Sequence, residues 1–153
     1  MDVDSLTIDT GRWEALGIHA AIIRRTVFVE EQQVPEEEEW DGLDPSCTHF
    51  LAWLPTTPES TESPIPVGTA RLLPDGHIGR VAVLADARGK GVGVALMNAA
   101  IDAARQQQHQ RVVLSAQLHA LAFYEQLGFV AYGDVFMDAG IPHREMVLTL
   151  QNA

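Results

Sequence analysis

Residues 77–93 read HIGRVAVLADARGKGVG, and the fold of the whole chain is interpreted outward from this stretch. Its first part, residues 78–84, is a short apolar run with β-branched side chains and no proline, which is typical of a strand. From Val92 onward the apolar residues recur at helical spacing, as Val92, Leu96, Ala99, Ala100 and Ala103. The stretch therefore predicts a strand, a tight turn and a helix.

The turn, RGKGVG at residues 88–93, has the chemistry of an anion site. A helix N-terminus exposes unpaired amide N–H groups and carries a partial positive charge. Glycine lets the backbone approach a phosphate closely, and Arg88 and Lys90 add positive charge. The glycine spacing is neither that of the dinucleotide-binding fingerprint nor that of the P-loop. We interpret the turn as a pyrophosphate cradle, with a plain flexible loop as the alternative.

Length and composition fit one globular domain, because 153 residues with 46% hydrophobic and 20% charged side chains can bury a sizeable core. We expect a single domain over residues 1–153. The net charge of −11 argues against a nucleic-acid partner, since phosphate binding needs clustered Lys and Arg. The same charge would attract a cationic substrate.

The chain carries no sign of a membrane or export segment. No apolar run approaches the roughly 20 residues that span a bilayer, and Met1-Asp2-Val3-Asp4 is acidic where a signal peptide is basic. The one cysteine, Cys47, cannot form an internal disulfide and is interpreted as a structural thiol. We expect a cytoplasmic protein that has no membrane partner and no metal.

Further elements follow from periodicity and turn signals. Predicted strands cover residues 6–9, 49–54, 67–73 and 111–116, and 130–136 pairs with 144–150 as a hairpin. A first helix, capped by Asp9 or Thr10, is predicted from the apolar face formed by Leu16, Ala20, Ile23 and Val27. A second helix is predicted over residues 119–127 and ends at Gly128. The Pro/Ser/Thr-rich residues 55–66 predict an exposed hairpin loop.

Residues 36–45, EEEEWDGLDP, form an acidic loop with two interpretations. It is either a solvated charge run or a wall of a cleft in which some of Glu39, Asp41 and Asp44 hold an amine. Trp40 is then either a cleft wall or a core anchor.

Residues 120–129, ALAFYEQLGF, together with the 88–93 turn and its strand, resemble the paired signatures of the GNAT N-acetyltransferases. Segments similar to the ElaA/YjcF-like branch of that family are 25–32, 68–71, 78–83, 116–117 and 140–143. The resemblance implies an α/β fold with a splayed, mixed, mostly antiparallel sheet and helices on both faces. Acetyl-CoA would lie in the splay between the two central strands.

The resemblance also implies which residues bind the cofactor. The backbone of Val81, Ala82 and Val83 would pair with the pantetheine arm. The pyrophosphate would be held by Arg88, Gly89, Lys90, Gly91, Val92 and Gly93. Gln117, which stands where many relatives carry Asn, and Phe123 complete the expected cofactor contacts.

Tyr124 falls on the family's general-acid tyrosine, so it would protonate the departing thiolate unless it is only a core residue. Many relatives carry a glutamate base at the strand position of His77. Candidates for the base are His77, His143 and Glu30, in falling order of preference. The residues expected to bind the acceptor are Glu30, Trp40, Asp41 and Asp44.

The leading functional hypothesis is an acetyl-CoA-dependent N-acetyltransferase that acts by direct transfer on a primary amine of a small molecule or protein. One alternative is an acyl-homoserine-lactone-synthase-like acyltransferase, to which Arg24, Phe28, Trp40, Asp41 and Asp44 are distantly similar, although those enzymes lack the tight glycine loop. Another is a non-catalytic acyl-CoA-binding module. The amine acceptor, the acyl-chain preference and the oligomeric state, a homodimer included, stay open.

Overall fold

The protein is described here by a computed structural model that covers residues 5–55 and 63–150. Its strands are β1 (Thr7–Gly11), β2 (Thr48–Leu54), β3 (Ile65–Leu72), β4 (Ile78–Val83), β5 (Arg111–Gln117), β6 (Val130–Asp138) and β7 (Ile141–Thr149). Its helices are α1 (Trp13–Arg24), which continues into a π-helical segment (Arg25–Glu31), α2 (Glu36–Glu39), α3 (Val92–Gln106) and α4 (Leu121–Gln126). Short 3₁₀ turns occupy Asp44–Ser46, Ala85–Ala87 and Leu118–Ala120.

Two antiparallel sheets meet side by side in this fold. The first has the order β1-β2-β3-β4 and the second the order β5-β7-β6. A parallel bridge between His77 and Val113 joins them at the start of β4, where the Val113 N–H donates to the Gly76 carbonyl over 3.2 Å. Beyond this bridge β4 and β5 belong to different sheets. The expected splayed, mostly antiparallel sheet is thereby confirmed.

A bulge interrupts β4 close to this junction. Thr69 of β3 pairs with Ala82, whereas Arg71 pairs with Gly79, so β4 carries one more residue than its partner in this interval. Arg80 within the bulge has a φ of 51°, a left-handed conformation that is uncommon for a side-chain-bearing residue. A bulge bends its strand and strengthens the local twist, which favours the separation of β4 from β5.

Helices cover both faces of the first sheet. Phe50, Ala52 and Leu54 of β2 pack in the cluster that holds α3, while Leu51 packs in the cluster that holds α1. Because alternate residues of a strand point to opposite faces, α1 and α3 lie on opposite sides of the sheet. The helical spacing in the sequence predicted most of the face that α3 buries, since Val92, Leu96, Ala100 and Ala103 are buried and Ala99 is partly buried.

Most predicted elements are present, and the main corrections concern element ends. Capping of α1 by Asp9 or Thr10 is wrong, because both residues pair with β2 and Arg12 is the N-cap. The helix expected over 119–127 is a 3₁₀ turn followed by the shorter α4. Strands β2 and β3 do pair antiparallel, although residues 56–62 of the loop between them lie outside the described residues.

Candidate active site

A cleft of about 890 Å³ opens where β4 and β5 diverge. It is lined by β4 and β5, the π-helical segment, the 88–93 turn, α4 and the turn between β6 and β7. The parallel bridge at His77 closes one end of the gap between the strands. The cleft therefore lies at the splay in which the sequence resemblance implied a cofactor.

Tyr124 lies in the wall of this cleft. Its ring meets Phe123 edge-on with centroids 5.0 Å apart, and Phe129 with centroids 5.9 Å apart. Burial raises the pKa of Tyr124 to about 12. The phenol is consequently protonated at neutral pH, as a proton donor must be.

His143 is only 8% exposed and also lines the cleft. Its Nδ1 lies 2.7 Å from the Ile141 carbonyl oxygen, which can only accept a hydrogen bond. Nδ1 therefore carries the proton and donates a hydrogen bond to this carbonyl, so the neutral ring has its free lone pair on Nε2. Phe136 stacks on the imidazole at a centroid distance of 5.8 Å and restrains its orientation.

His77 lines the cleft near the strand junction, and its side chain is 47% exposed. Its Nδ1 lies 3.0 Å from Asp75 Oδ1, which also accepts the His77 backbone N–H over 3.1 Å. Burial alone would raise the pKa of Asp75, but the hydrogen bonds and charge of His77 lower it. Glu30, the third candidate base, is exposed and does not line the cleft.

Most residues expected to contact the cofactor lie on the cleft wall. They are Val81, Ala82, Val83, Arg88, Gly89, Val92, Gly93, Gln117 and Phe123, whereas Lys90 and Gly91 do not line it. Gly89 and Gly91 have φ values of 77° and 83°, and a Cβ added at either position would meet no atom within 4 Å. The N-cap of α3 is Gly91, which has no side chain that could bind the first amide groups of the helix. Open space above these glycines and free amides at α3 fit a pyrophosphate.

Arg88 is already engaged within the protein. Its Nε donates to the Val83 carbonyl over 2.9 Å, and its Nη1 and Nη2 contact both carboxylate oxygens of Glu31 at 2.8 Å and 2.9 Å. The hydrogen bond from Arg88 lowers the pKa of Glu31. This ion pair connects the 88–93 turn to the π-helical segment.

A second polar link joins the π-helical side of the cleft to β5. Gln117 Nε2 donates to Gln32 Oε1 over 2.9 Å, so the amide expected to contact the cofactor is bonded within the protein. Both glutamines line the cleft. The pair connects the segment after the π-helical turn to the end of β5.

Glu39, Asp41 and Asp44 of the acidic loop form an ion-pair network with Arg24, Arg71 and Arg80. Arg71 binds both Asp41, at 2.5 Å, and Asp44, at 3.0 Å, while Arg24 binds Asp44 and Glu39, each at 2.7 Å. The hydrogen bond from Arg71 holds the pKa of Asp41 well below its usual range, and the pKa of Asp44 is lowered by Arg24 and Arg71 against its burial. Asp41 lines the cleft, whereas Asp44 is buried in the network and does not.

Trp40 lies beside this network and does not line the cleft. Its ring is 5.0 Å from the Arg24 guanidinium and 5.8 Å from that of Arg25. Such contacts are cation–π interactions, so the partly buried Trp40 packs on arginine side chains and is not part of the cleft wall.

Sequence reasoning missed several polar residues of the cleft wall: Glu31, Gln32, Glu38, Arg80, His119 and Asp138. Glu38 stood within the acidic run, and Asp138 at the predicted hairpin turn, but neither position carries a signal of its own. Within residues 5–55 and 63–150, no group of three or more His, Cys, Asp or Glu residues could hold a metal ion. No helix of that same portion is long and apolar enough to span a membrane.

Comparison with known proteins assigns the class of this fold and cleft. The Acetyltransferase (GNAT) domain family matches residues 59–150. The N-acetyltransferase YjcF of Bacillus subtilis is 35% identical over 130 residues, which cover 84% of this chain and 89% of YjcF. The crystal structure of Escherichia coli ElaA superposes with a TM-score of 0.77 at 28% identity, covering 93% of this chain and 98% of ElaA. The protein is an acyltransferase.

More particularly, the chain belongs to the GNAT acetyltransferase family, with YjcF and ElaA among its relatives. The coenzyme A-dependent acyl-homoserine lactone synthase BjaI has a TM-score of 0.71 at 17% identity, covering 95% of this chain and 84% of BjaI. At that identity the likeness shows the fold alone.

Proposed function

We propose that the protein is an acetyl-CoA-dependent N-acetyltransferase that transfers the acetyl group directly to a primary amine of a small molecule or protein. The supporting observation is that one cleft contains the edge of β4, residues of the 88–93 turn and the partly buried phenol of Tyr124. We further propose that residues 1–153 form one domain that acts in the cytoplasm.

The donor supplies an acetyl group activated as a thioester. Within the described residues, β4 pairs with β3 on one side, and residues 81–83 have no partner strand on the side of β5. Their peptide groups would bind the amides of the pantetheine arm. Gly89 and the first turn of α3 would bind the pyrophosphate, and Arg88 would add charge after exchanging Glu31 for a phosphate.

Transfer forms a bond between the amine nitrogen and the acetyl carbon and breaks the bond from that carbon to sulfur. Tyr124 would donate its phenolic proton to the departing sulfur. Because burial raises the pKa of Tyr124, the phenol keeps this proton at neutral pH and would be available to the sulfur as negative charge develops there. Positioning of the amine beside the thioester supplies the remaining acceleration.

The incoming amine must first lose a proton, since an alkylammonium titrates near pH ~10. His77 and His143 both line the cleft and both have Nδ1 beside an oxygen acceptor. In the neutral rings Nε2 is therefore the atom that would take the proton. Glu30 lies outside the cleft and is not retained in this role.

The experiment that tests the function is thiol release from acetyl-CoA with a panel of primary amines, combined with mass detection of the acetylated product. Release coupled to an N-acetyl product supports the proposal. Cofactor binding without release for every amine would favour a non-catalytic module. Release with S-adenosylmethionine, the compound bound in a BjaI structure, as the sole effective acceptor would favour the lactone-synthase alternative.

A further inference from the structure

The wall of the cleft carries more negative than positive charge. Its five carboxylates are Glu31, Glu38, Glu39, Asp41 and Asp138, and its three guanidinium groups are Arg71, Arg80 and Arg88. The guanidinium groups are paired with Glu31, Glu39 and Asp41. Neither Glu38 nor Asp138 has an ion-pair or hydrogen-bond partner for its carboxylate in residues 5–55 and 63–150. The excess charge of the cleft is thus carried by these two residues.

Glu38 and Asp138 reach the cleft from different parts of the fold. Glu38 belongs to α2, which follows the π-helical segment, while Asp138 ends β6 in the second sheet. Both side chains are exposed, so neither is committed to the core. Both carboxylates are therefore available to a cation that enters the cleft.

His143 independently indicates the same kind of ligand. It is more than nine-tenths buried, it lines the cleft, and its Nδ1–H is used by the Ile141 carbonyl. Its Nε2 has no partner among the described residues and, in the neutral ring, can only accept a hydrogen bond. The acceptor nitrogen of His143 and the two unpaired carboxylates line one cleft, and each can accept a hydrogen bond from a cationic ligand.

We propose that the acceptor is a primary amine that carries a second positive charge, as a small aliphatic diamine does, and that Glu38 and Asp138 select it. This inference rests on the proposed function, because it names the substrate class of the same cleft. One ammonium group reacts beside the thioester, and the second lies against the carboxylates. A monoamine leaves the second charge site empty, and an amino acid brings a carboxylate that these residues repel.

The test uses three amines with the same four-carbon chain: putrescine, butylamine and γ-aminobutyrate. Their distal groups are cationic, apolar and anionic, so the chain length is constant while the distal charge changes. Steady-state acetylation gives kcat/KM for each amine, and calorimetric titration into the complex of the protein with coenzyme A gives each Kd without turnover. We expect putrescine to exceed butylamine by about tenfold or more in both measurements, since each charge-assisted contact is worth severalfold even when exposed.

The variants Glu38→Gln and Asp138→Asn should each reduce the preference for putrescine over butylamine by about fivefold, which is the scale of one partly screened ion pair. Butylamine itself should bind nearly as before. The matched controls are Glu37→Gln, the neighbouring acid of α2, and Asp134→Asn, an exposed acid of β6, because neither residue lines the cleft. They remove the same charge and should leave the preference unchanged.

The inference is overturned if butylamine or γ-aminobutyrate binds the protein as tightly as putrescine, or if the control variants reduce the preference as much as the cleft variants do. The proposed function fails separately, when no amine releases thiol from acetyl-CoA. Preferential binding of putrescine without turnover would sustain the assignment of Glu38 and Asp138 while refuting acetyl transfer.

Discussion

The guanidinium group of Arg88 lies 2.8 Å from the carboxylate of Glu31, so the cation expected to hold a pyrophosphate is already paired with an acid of the π-helical segment. A bound diphosphate and Glu31 would compete for the same N–H groups. The pair with Glu31 would therefore weaken cofactor binding by Arg88.

This competition predicts that Glu31→Gln strengthens acetyl-CoA binding. Removing the carboxylate leaves Arg88 without its anionic competitor, and we expect Kd to fall by about threefold, as for one exposed ion pair. Calorimetric titration measures the change, and Glu30→Gln is the matched control, because Glu30 is an adjacent exposed acid outside the cleft. A weaker affinity in Glu31→Gln would show that Glu31 positions Arg88 rather than competing for it.

The two cations of the 88–93 turn should differ in importance. Arg88→Ala removes a cation of the cleft wall and should raise the Kd of acetyl-CoA by about tenfold, the scale of a charge-assisted contact. Lys90 does not line the cleft, so Lys90→Ala should have a smaller effect. Titration of both variants with acetyl-CoA makes the comparison. Equal losses would mean that the pyrophosphate extends beyond the described cleft to Lys90.

The two histidines should also differ. His143 is fixed in the cleft wall by Ile141 and Phe136, whereas His77 is half exposed beside Asp75. We expect His143→Gln to lower kcat by about a hundredfold, the low end for a positioned base, and His77→Gln to lower it less. The acidic limb of the pH–rate profile should disappear only in the variant that has lost the base. An unchanged limb in both variants would assign deprotonation to solvent.

The ion-pair network predicts a loss of stability in acid. The pKa values of Asp41 and Asp44 are lower in the folded state than in the unfolded state, so both stabilise the fold above about pH 4, the unfolded value, and this contribution is lost as the pH falls toward their folded pKa values. The Tm of the wild type should therefore drop more steeply between about pH 5 and pH 2 than that of Asp41→Asn. Asp9→Asn, at an exposed acid of β1, should keep the wild-type slope.

The secondary-structure elements that are determined by residues close together in the sequence could be predicted. The strand, turn and helix of residues 77–104 and the last hairpin follow from local periodicity and turn residues. The ion pairs could not be predicted in this way, because their partners are far apart in the sequence. Glu31 and Arg88 are 57 positions apart, and Asp41 and Arg71 are 30 positions apart. Asp41 and Asp44 looked available for a substrate until the fold placed arginines beside them.

The last prediction separates the binding role of Tyr124 from its chemical role. Tyr124→Phe keeps the ring and its contacts with Phe123 and Phe129 and deletes only the hydroxyl group, so the Kd of acetyl-CoA should hardly change. If the hydroxyl group protonates the departing thiolate, kcat should fall by about a hundredfold. The other tyrosine of the chain, Tyr132, is exposed on β6 and outside the cleft, so Tyr132→Phe is the matched control and should retain full activity.

An acyl donor with a more acidic leaving thiol provides the decisive comparison for Tyr124→Phe. A thiol of lower pKa leaves without a proton more readily, so the loss of kcat in the variant should shrink with such a donor. General acid catalysis by Tyr124 requires this dependence, whereas a packing defect would lower kcat equally for both donors. A variant that keeps full kcat with acetyl-CoA would make Tyr124 a packing residue and leave protonation of the thiolate to water.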